Sequence, residues 1–236
     1  MPPLVLLAGM NCTHDLWADA GLGPVIRPTL DLPDIDEQVD ALRAELPDRF
    51  VLVGHSLGAI VAMALAVAAP ERLAGLCLVS TNAKVPTEAQ REGWRGWIDE
   101  LDRGTDARTL QSRILPSLLG ATVVRERPDL VERTLAMGDA TGGLRLRAQL
   151  HLQLSRRDLL AVLPAVPTPT LVVSGLDDVI CPPHFHTEIV QQLPDARLVT
   201  LDAGHLLPIE RPQAFGALLR SWQTQLADAA AGAARR

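Results

Sequence analysis

The sequence contains no tyrosine, and aromatic residues make up only 3% of its 236 residues. No site in the protein can therefore use a tyrosine hydroxyl as a hydrogen-bond donor. Hydrophobic residues nevertheless account for 47% of the chain, and because so few of them are aromatic, we expect an aliphatic lining for the pocket. A chain of this length and composition can form one compact domain with a small insertion.

Cysteine is also scarce in this chain. The three cysteines, Cys12, Cys77 and Cys181, are odd in number and widely spaced, which favours reduced thiols over a disulfide framework. The N-terminus has neither a basic segment nor a cleavage site of the kind found in secretory signals. These features together predict a cytoplasmic protein.

Long apolar runs and blocks of basic charge are both missing. No apolar stretch approaches the roughly 18 residues that a membrane-spanning helix needs; the longest, 57–69, is rich in alanine and favours a buried helix. The formal net charge is -6, and no basic block is long enough to follow a phosphate backbone. We therefore expect neither a membrane nor a nucleic acid as a partner, and no pattern indicates an oligomeric state.

Short apolar segments alternate with longer segments of helical periodicity along much of the chain. Several of the short segments are almost continuously apolar, as expected for strands that helices cover on both faces. This alternation predicts an α/β fold with a parallel, doubly wound sheet. The predicted strands are 4–8, 25–27, 50–53, 75–80, 170–174 and 197–201, and the predicted helices are 34–46, 57–69, 184–193 and 212–227.

Residues 84–163 interrupt the alternation, because they show helical patterns without a convincing strand. We interpret them as three or four helices inserted between two strands. A proline-rich segment, 164–169, then leads back to the sheet, and each proline disfavours helix in the residue before it. The predicted organisation is a core formed by 1–83 and 164–236, with a helical insertion at 84–163.

The segment Gly54-His55-Ser56-Leu57-Gly58 carries the clearest chemical signal. This G-x-S-x-G pattern follows a predicted strand and precedes a predicted helix, which is the context of a nucleophile elbow. In so tight a turn, side chains at the two glycines would collide with the neighbouring strand or helix. The turn raises Ser56, the predicted nucleophile, above the carboxyl edge of the sheet. Leu57 begins the helix, where its backbone N–H can stabilise a developing oxyanion.

A serine hydroxyl needs a general base, and the chain offers six histidines. His205 follows the last predicted strand and a glycine, Gly204, so we expect it at the same sheet edge as the nucleophile and predict that it is the base. We expect His55 to point away from the chemistry. His184 and His186 form an H-x-H pair that could bind a metal, but no further ligands stand at supporting spacing, so a solvated helix end is favoured.

A serine nucleophile and a histidine base are completed by an acid, which orients the histidine. In folds with a nucleophile elbow the chain order is serine, acid, histidine, so the acid should lie on the loop after the strand at 170–174. Two adjacent carboxylates, Asp177 and Asp178, occupy that loop. One should orient the imidazole and stabilise its positive charge, and the other should be solvated or stabilise a turn. Spacing alone does not choose between them.

Together these motifs resemble the α/β-hydrolase superfamily, and in particular its small cytosolic, serine esterase-like members with a short helical lid. The resemblance covers most of the chain, from the loop at 8–10 through the serine motif to the segments 169–175 and 204–212. By this resemblance, we expect no counterpart of the first two strands of the family. The resemblance therefore implies a reduced, mainly parallel sheet of about six strands flanked by helices, with 84–163 as the lid.

The resemblance also assigns site residues. The family pattern G-x-x-D-x-x-x-P, laid on the acid loop, selects Asp178. The family supplies a second oxyanion donor beside Leu57, here the backbone N–H of Met10, although position 8 is alanine where relatives have histidine. The implied reaction is two-step acyl transfer, in which Ser56 forms an acyl-enzyme and His205 moves the protons. It requires no cofactor and no metal.

Trp94 and Trp97 lie on one face of a predicted lid helix, where they either cover an apolar acyl chain or anchor the lid to the core. Asn11 and Trp17 are further candidates for residues that line the substrate pocket. We expect a small-molecule acyl substrate and hydrolysis of a carboxylic ester, lactone or thioester. The same triad could instead serve C–C bond hydrolysis, a lyase reaction, or acyl transfer and cyclisation in a biosynthetic pathway. A binding protein with little turnover is the third alternative.

Overall fold

The computed structural model describes residues 2–233 and contains a six-stranded sheet. The strand order is β2-β1-β3-β4-β5-β6, and every neighbouring pair is parallel. The prediction of a parallel sheet of about six strands is confirmed. The strands are β1 Leu4–Leu7, β2 Val25–Ile26, β3 Phe50–His55, β4 Leu73–Val79, β5 Thr170–Gly175 and β6 Ala196–Leu201.

Helices connect the strands and cover both faces of the sheet. The stretch between β4 and β5 contains four of them, α3 to α6, where the sequence predicts three or four. The helices are α1 Ile35–Glu45, α2 Leu57–Ala68, α3 Glu88–Asp102, α4 Ala107–Leu118, α5 Ala121–Glu126, α6 Pro128–Leu154, α7 Pro183–Gln192, α8 Leu207–Glu210 and α9 Pro212–Ala233. Among residues 2–233, no helix has both the length and the apolar character that a membrane crossing requires.

The apolar strands divide their side chains between two cores. Successive side chains of a strand point to opposite faces, so Leu4 and Leu6 of β1 join a core on one face that contains Phe215 of α9. Val5 and Leu7 join the core on the other face, which contains most of α2. Burial of each such side chain contributes about 1.5–3 kcal/mol. This two-sided burial explains why the strands lack an alternation of apolar and polar residues.

Three of the four helices between β4 and β5, namely α3, α4 and α6, share a smaller apolar cluster of their own. Met10, Trp94 and Trp97 are partly buried against it. Met10 belongs to the loop after β1, so this loop lies between the sheet and the inserted helices. The buried members of the cluster are Ile98, Ala107, Leu110, Leu146 and Leu150.

Candidate active site

Ser56 occupies a sharp turn between β3 and α2. Its backbone has φ 52° and ψ −116°, a conformation that is unfavourable for a residue with a side chain. The flanking glycines make the turn possible. A Cβ built on Gly58 would lie 2.2 Å from the Leu7 carbonyl oxygen, and one built on Gly54 would lie 2.5 Å from Ala59 Cα. The two glycines of the motif are therefore required because a side chain at either position would overlap the backbone, as the sequence predicts.

His205 and Asp178 meet Ser56 in one hydrogen-bonded chain. Ser56 Oγ lies 3.0 Å from His205 Nε2, and His205 Nδ1 lies 2.9 Å from Asp178 Oδ2. His205 and Asp178 are each only 3% exposed. Since a carboxylate only accepts, Nδ1 carries the hydrogen and Nε2 is free to accept the serine proton. This arrangement can activate a hydroxyl.

The acid loop distinguishes the two adjacent aspartates. Asp178 is buried against His205, and its Oδ1 accepts hydrogen bonds from the N–H groups of Ile180 at 2.9 Å and Cys181 at 2.8 Å. Burial alone would raise the pKa of Asp178, but His205 and the Cys181 N–H outweigh it and hold the pKa below its usual value. Asp177 is exposed. The structure thus brings Asp178, and not Asp177, to the histidine.

A second histidine supports the loop that carries His205. His55 Nε2 lies 2.9 Å from the His205 carbonyl oxygen, and because a carbonyl only accepts, Nε2 carries the hydrogen and donates it. The two rings are 5.1 Å apart between centroids. The sequence predicts that His55 points away from the chemistry, whereas its ring lies beside that of the candidate base. A structural role in placing His205 follows from this contact.

His186 is buried, although the sequence favours a solvated helix end for the pair at 184 and 186. The prediction is wrong for His186, whose Nε2 accepts a hydrogen bond from the Thr81 N–H at 2.9 Å. Thr81 Oγ1 in turn donates to the Ser56 carbonyl at 3.1 Å. His184 is exposed. The signal that was overlooked is helical spacing, because His186 stands three residues before the buried Ile189 on α7.

The buried histidines make the stability of the protein depend on pH. Burial lowers the pKa of His55 to about 3 and that of His186 to about 4, from 6.5. Below pH 6.5 the unfolded chain therefore binds more protons than the folded one, so the free energy of unfolding is highest above pH 6.5 and falls as the pH decreases towards 4. We expect each histidine to remove about 2 kcal/mol between pH 7 and pH 5, as measured by urea unfolding.

Matched variants of α7 test this expectation. His186→Gln keeps an acceptor for the Thr81 N–H but cannot titrate, so its loss of stability between the two pH values should be smaller than that of the wild type. His184→Gln changes an exposed side chain on the same helix and should show the wild-type loss. If the wild type and His186→Gln lose equal stability between pH 7 and pH 5, the assignment of this pH dependence to His186 is refuted.

Glu210 fixes the backbone before His205 and is a residue that sequence reasoning missed. Its two carboxylate oxygens each accept a hydrogen bond from the Gly204 N–H at 3.1 Å. Burial raises the pKa of Glu210, although the N–H groups of Gly204 and Gly120 oppose this rise. An acidic residue in the otherwise apolar stretch after the histidine, 206–210, was the available signal.

The first residue of α2 and the loop after β1 both lie beside the nucleophile. Leu57 is the first residue of α2, so its N–H has no acceptor within the helix. The loop after β1 also approaches the nucleophile, because a Cβ built on Gly9 would lie 3.3 Å from Ser56 Cβ. Met10 follows in that loop and contributes its side chain to the cavity described next.

A cavity of about 330 Å³ opens onto Ser56 and His205. Trp94 and Trp97 line it, which is one of the two roles that the sequence leaves open for them, and Met10 lines it as well. Most of its other lining residues belong to the helices between β4 and β5. The complete lining is Met10, Ser56, Gln90, Gly93, Trp94, Trp97, Ile114, Ser117, Leu118, Gln153, Ile180 and His205.

Asn11 and Trp17, the other two pocket candidates, are not among these lining residues. Asn11 is fully buried, its N–H donates to Gln149 Oε1 at 2.8 Å, and its Nδ2 donates to Gln111 Oε1 at 2.9 Å. It therefore connects the loop after β1 to α4 and α6. Trp17 packs in the core, with its ring centroid 5.7 Å from that of Phe215.

One group of potential metal ligands is present within residues 2–233. Ligand atoms of Asp178, Cys181 and His205 all lie within 4.8 Å of one another. Burial, reinforced by Asp178, raises the pKa of the Cys181 thiol to about 12. The thiol is therefore protonated at neutral pH and would have to lose its proton before it could bind a metal ion.

Comparison with known proteins identifies the class to which this arrangement belongs. A parallel sheet with a strand–serine–helix turn at its carboxyl edge is the architecture of the α/β hydrolases, and the model of the alpha/beta hydrolase family matches residues 6–218. This chain belongs to the alpha/beta hydrolase family and is an enzyme of the hydrolase class.

Individual relatives agree with this assignment. The chain is 30% identical over 244 residues to the pimeloyl-[acyl-carrier protein] methyl ester esterase of Aromatoleum aromaticum, with 92% of this chain and 96% of the relative covered. A malate-bound thermophilic esterase from Thermogutta terrifontis has a TM-score of 0.82 and 25% identity, with coverage of 96% and 90%. The enol-lactonase from Burkholderia xenovorans LB400 shares the fold, with a TM-score of 0.82, 23% identity and coverage of 94% and 91%.

Proposed function

We propose that this protein is a serine hydrolase that cleaves a carboxylic ester, lactone or thioester, with Ser56 as nucleophile, His205 as base and Asp178 as acid. The observation that carries the proposal is the chain of contacts, 3.0 Å from Ser56 Oγ to His205 Nε2 and 2.9 Å from His205 Nδ1 to Asp178 Oδ2, at the wall of a cavity. Ester hydrolysis in general is supported by the two relatives that are named esterases.

The reaction proceeds in two steps. Ser56 attacks the acyl carbonyl while His205 Nε2 accepts the hydroxyl proton, and the Asp178 carboxylate stabilises the imidazolium. The N–H groups of Leu57 and Met10 bind the negative oxygen of the tetrahedral intermediate. His205 then gives its proton to the leaving alcohol or thiol. A water molecule, deprotonated by the same histidine, hydrolyses the acyl-enzyme and restores Ser56.

The cavity indicates the class of substrate. Its wall is largely apolar, and its volume of about 330 Å³ suits a small acyl group rather than a macromolecule. Because α3, α4 and α6 supply much of this wall, we assign 84–163 as a lid over a core formed by 1–83 and 164–236. The proposed partner is a small-molecule acyl substrate. The Aromatoleum relative is named for a methyl ester, which is one member of this class.

A panel of esters and thioesters of graded acyl length tests the proposal. The wild-type protein should hydrolyse at least one series, and a fluorophosphonate probe should inactivate it by attachment to Ser56, mapped by peptide mass spectrometry. Full turnover after complete labelling of Ser56, or attachment at another serine with loss of activity, would contradict the nucleophile assignment.

Gly93 should set the length of acyl chain that the cavity accepts. It lines the cavity from α3, and a Cβ built on it would meet no atom within 4 Å. A leucine at this position would occupy space available to the substrate. We expect Gly93→Leu to lower kcat/KM for the longest accepted acyl chain by about tenfold or more, and that for the shortest chain much less.

Gly96 offers a matched control for this prediction. It lies on the same helix, and a Cβ built on it also meets no atom within 4 Å, but it is not among the cavity-lining residues. Gly96→Leu should therefore retain the wild-type dependence of kcat/KM on acyl length. If both variants change that dependence equally, the effect comes from the helix and not from the cavity.

A further inference from the structure

Arg156 is a buried cation without a carboxylate partner among the described residues. It is only 5% exposed, and no ion pair within residues 2–233 includes it. Its guanidinium donates to Asn82 Oδ1 at 2.6 Å, to the Lys84 carbonyl at 2.7 Å and to Gln153 Oε1 at 3.1 Å. Burial lowers its pKa to about 10, so the group stays charged at neutral pH. A buried charge without an opposite charge is unfavourable.

The hydrogen bonds of Arg156 use its two terminal nitrogens, while its buried Nε has no acceptor among the described residues, and none of these bonds balances its charge. They join the loop at 82–84 to the end of α6, and so they hold together the two ends of the inserted helices. Neutral donors could make bonds of this kind. The positive charge adds an attraction for an anion, and this attraction is strong where water is excluded.

Gln153 connects Arg156 with the cavity, because it accepts a hydrogen bond from Arg156 and also lines the cavity. It lines the cavity and is 6% exposed. Since arginine only donates, the amide atom that faces it must be the oxygen, and Nε2 must be on the other side of the amide. Among the described residues none accepts a hydrogen bond from this Nε2. The cavity wall therefore presents a fixed donor with a cation behind it.

The other polar side chains of the cavity wall also offer hydrogen-bond donors. Gln90 Oε1 accepts the Thr87 N–H at 2.9 Å, so Gln90 also offers its Nε2 donor. Ser117 adds a hydroxyl, and no aspartate or glutamate is among the residues that line this cavity. Apart from Ser56 and His205, the polar part of the wall is thus rich in donors and matches a ligand rich in acceptors.

We propose that the substrate carries a free carboxylate in its acyl half, away from the scissile carbonyl, and that Gln153 Nε2 binds this carboxylate with Arg156 behind it. The substrate is then a half-ester of a dicarboxylic acid, or a lactone that bears a carboxylate. The inference rests on the proposed function, because it names the substrate class of the same site.

Paired esters test the inference on the wild-type enzyme. Methyl half-esters of glutarate, adipate, pimelate and suberate are compared with the methyl esters of monocarboxylic acids of equal chain length. We expect kcat/KM to be at least about tenfold higher for the charged ester at one or more lengths. Equal or faster hydrolysis of the uncharged ester at every length would overturn the inference while leaving the serine hydrolase intact.

Binding measurements keep the test independent of turnover. Calorimetric titration with the free dicarboxylates and with the matching monocarboxylates should give at least a tenfold lower Kd for one dicarboxylate. Dicarboxylates that bind no more tightly would overturn the inference. Failure of the proposed function is recognised separately, by the absence of ester hydrolysis together with a Ser56 that does not react with fluorophosphonates.

Variants separate recognition from a structural role. Arg156→Gln should bring the ratio of kcat/KM for the charged ester to that for the uncharged ester close to one. Gln153→Met should also lower this ratio, and it provides the test if Arg156→Gln does not fold. Arg157→Gln, the matched control, removes an exposed arginine that pairs with Asp36 and should keep the wild-type ratio. A structural role alone would lower both rates by the same factor, and an unchanged ratio in Arg156→Gln and Gln153→Met would overturn the inference.

Discussion

Replacement of Ser56 by alanine should lower kcat for every hydrolysed ester by roughly 10⁴- to 10⁶-fold. The reason is that the hydroxyl 3.0 Å from His205 Nε2 is the only proposed site of acylation. The measurement is the initial rate on a short p-nitrophenyl ester, with fluorophosphonate labelling as a second readout. Full activity in this variant would eliminate Ser56 as the nucleophile.

The variant should retain the fold, because the turn is held by main-chain atoms. The Ser56 N–H donates to the Val79 carbonyl at 2.9 Å, and the Ser56 carbonyl accepts the Ala59 N–H at 3.0 Å. Alanine at position 56 keeps both bonds and has the same steric demand at Cβ. Its melting temperature should therefore match that of the wild type, so that loss of activity can be assigned to chemistry.

Asp178→Asn should lower kcat/KM by roughly 10³- to 10⁴-fold through a change of tautomer. Oδ1 accepts two backbone N–H groups, from Ile180 and Cys181, so this atom must remain an oxygen in the asparagine. The new NH₂ group then faces His205 Nδ1, which must become an acceptor. The ring hydrogen moves to Nε2, and His205 can no longer accept the proton of Ser56.

Asp177→Asn is the matched control for this substitution. Asp177 is the adjacent residue in the same loop, but its side chain is exposed. The change removes one negative charge without altering the hydrogen bonds of His205, so kcat/KM should change by less than about threefold. A larger loss in Asp177→Asn than in Asp178→Asn would reverse the choice of acid.

Local sterics made the serine turn predictable from sequence. Gly54 and Gly58 are required because any Cβ there would overlap the backbone, and such a requirement is visible in a short motif. The sheet was predictable for a similar reason, since continuous apolar strands need helices on both faces. The choice of Asp178 over Asp177 depended on a family pattern, because both carboxylates follow the same strand and only the three-dimensional path of the loop separates them.

Contacts between distant parts of the chain were not predictable. Asn11 was expected near the substrate, yet it is buried and joins Gln149, which is 138 residues away in the sequence. Helical spacing can place His186 in the interior, but the partner of its Nε2, the Thr81 N–H, is 105 residues away in the sequence and has no local signal. Arg156 carried no sequence signal, because burial of a cation depends on how α6 meets the loop after β4.

The inserted helices are bonded to the two loops that flank Ser56, and this limits how the protein can be engineered. Asn11 connects the loop after β1 to Gln149, and the Leu206 N–H donates to the Leu118 carbonyl at 3.0 Å beside the catalytic candidate His205. A chimaera that exchanged 84–163 for the corresponding segment of another hydrolase would lose the Gln149 side chain, and it would keep the bond to Leu206 only if its main chain placed a carbonyl where that of Leu118 lies. Changes of specificity in this scaffold are therefore better sought by single substitutions in the cavity wall than by recombination of whole segments.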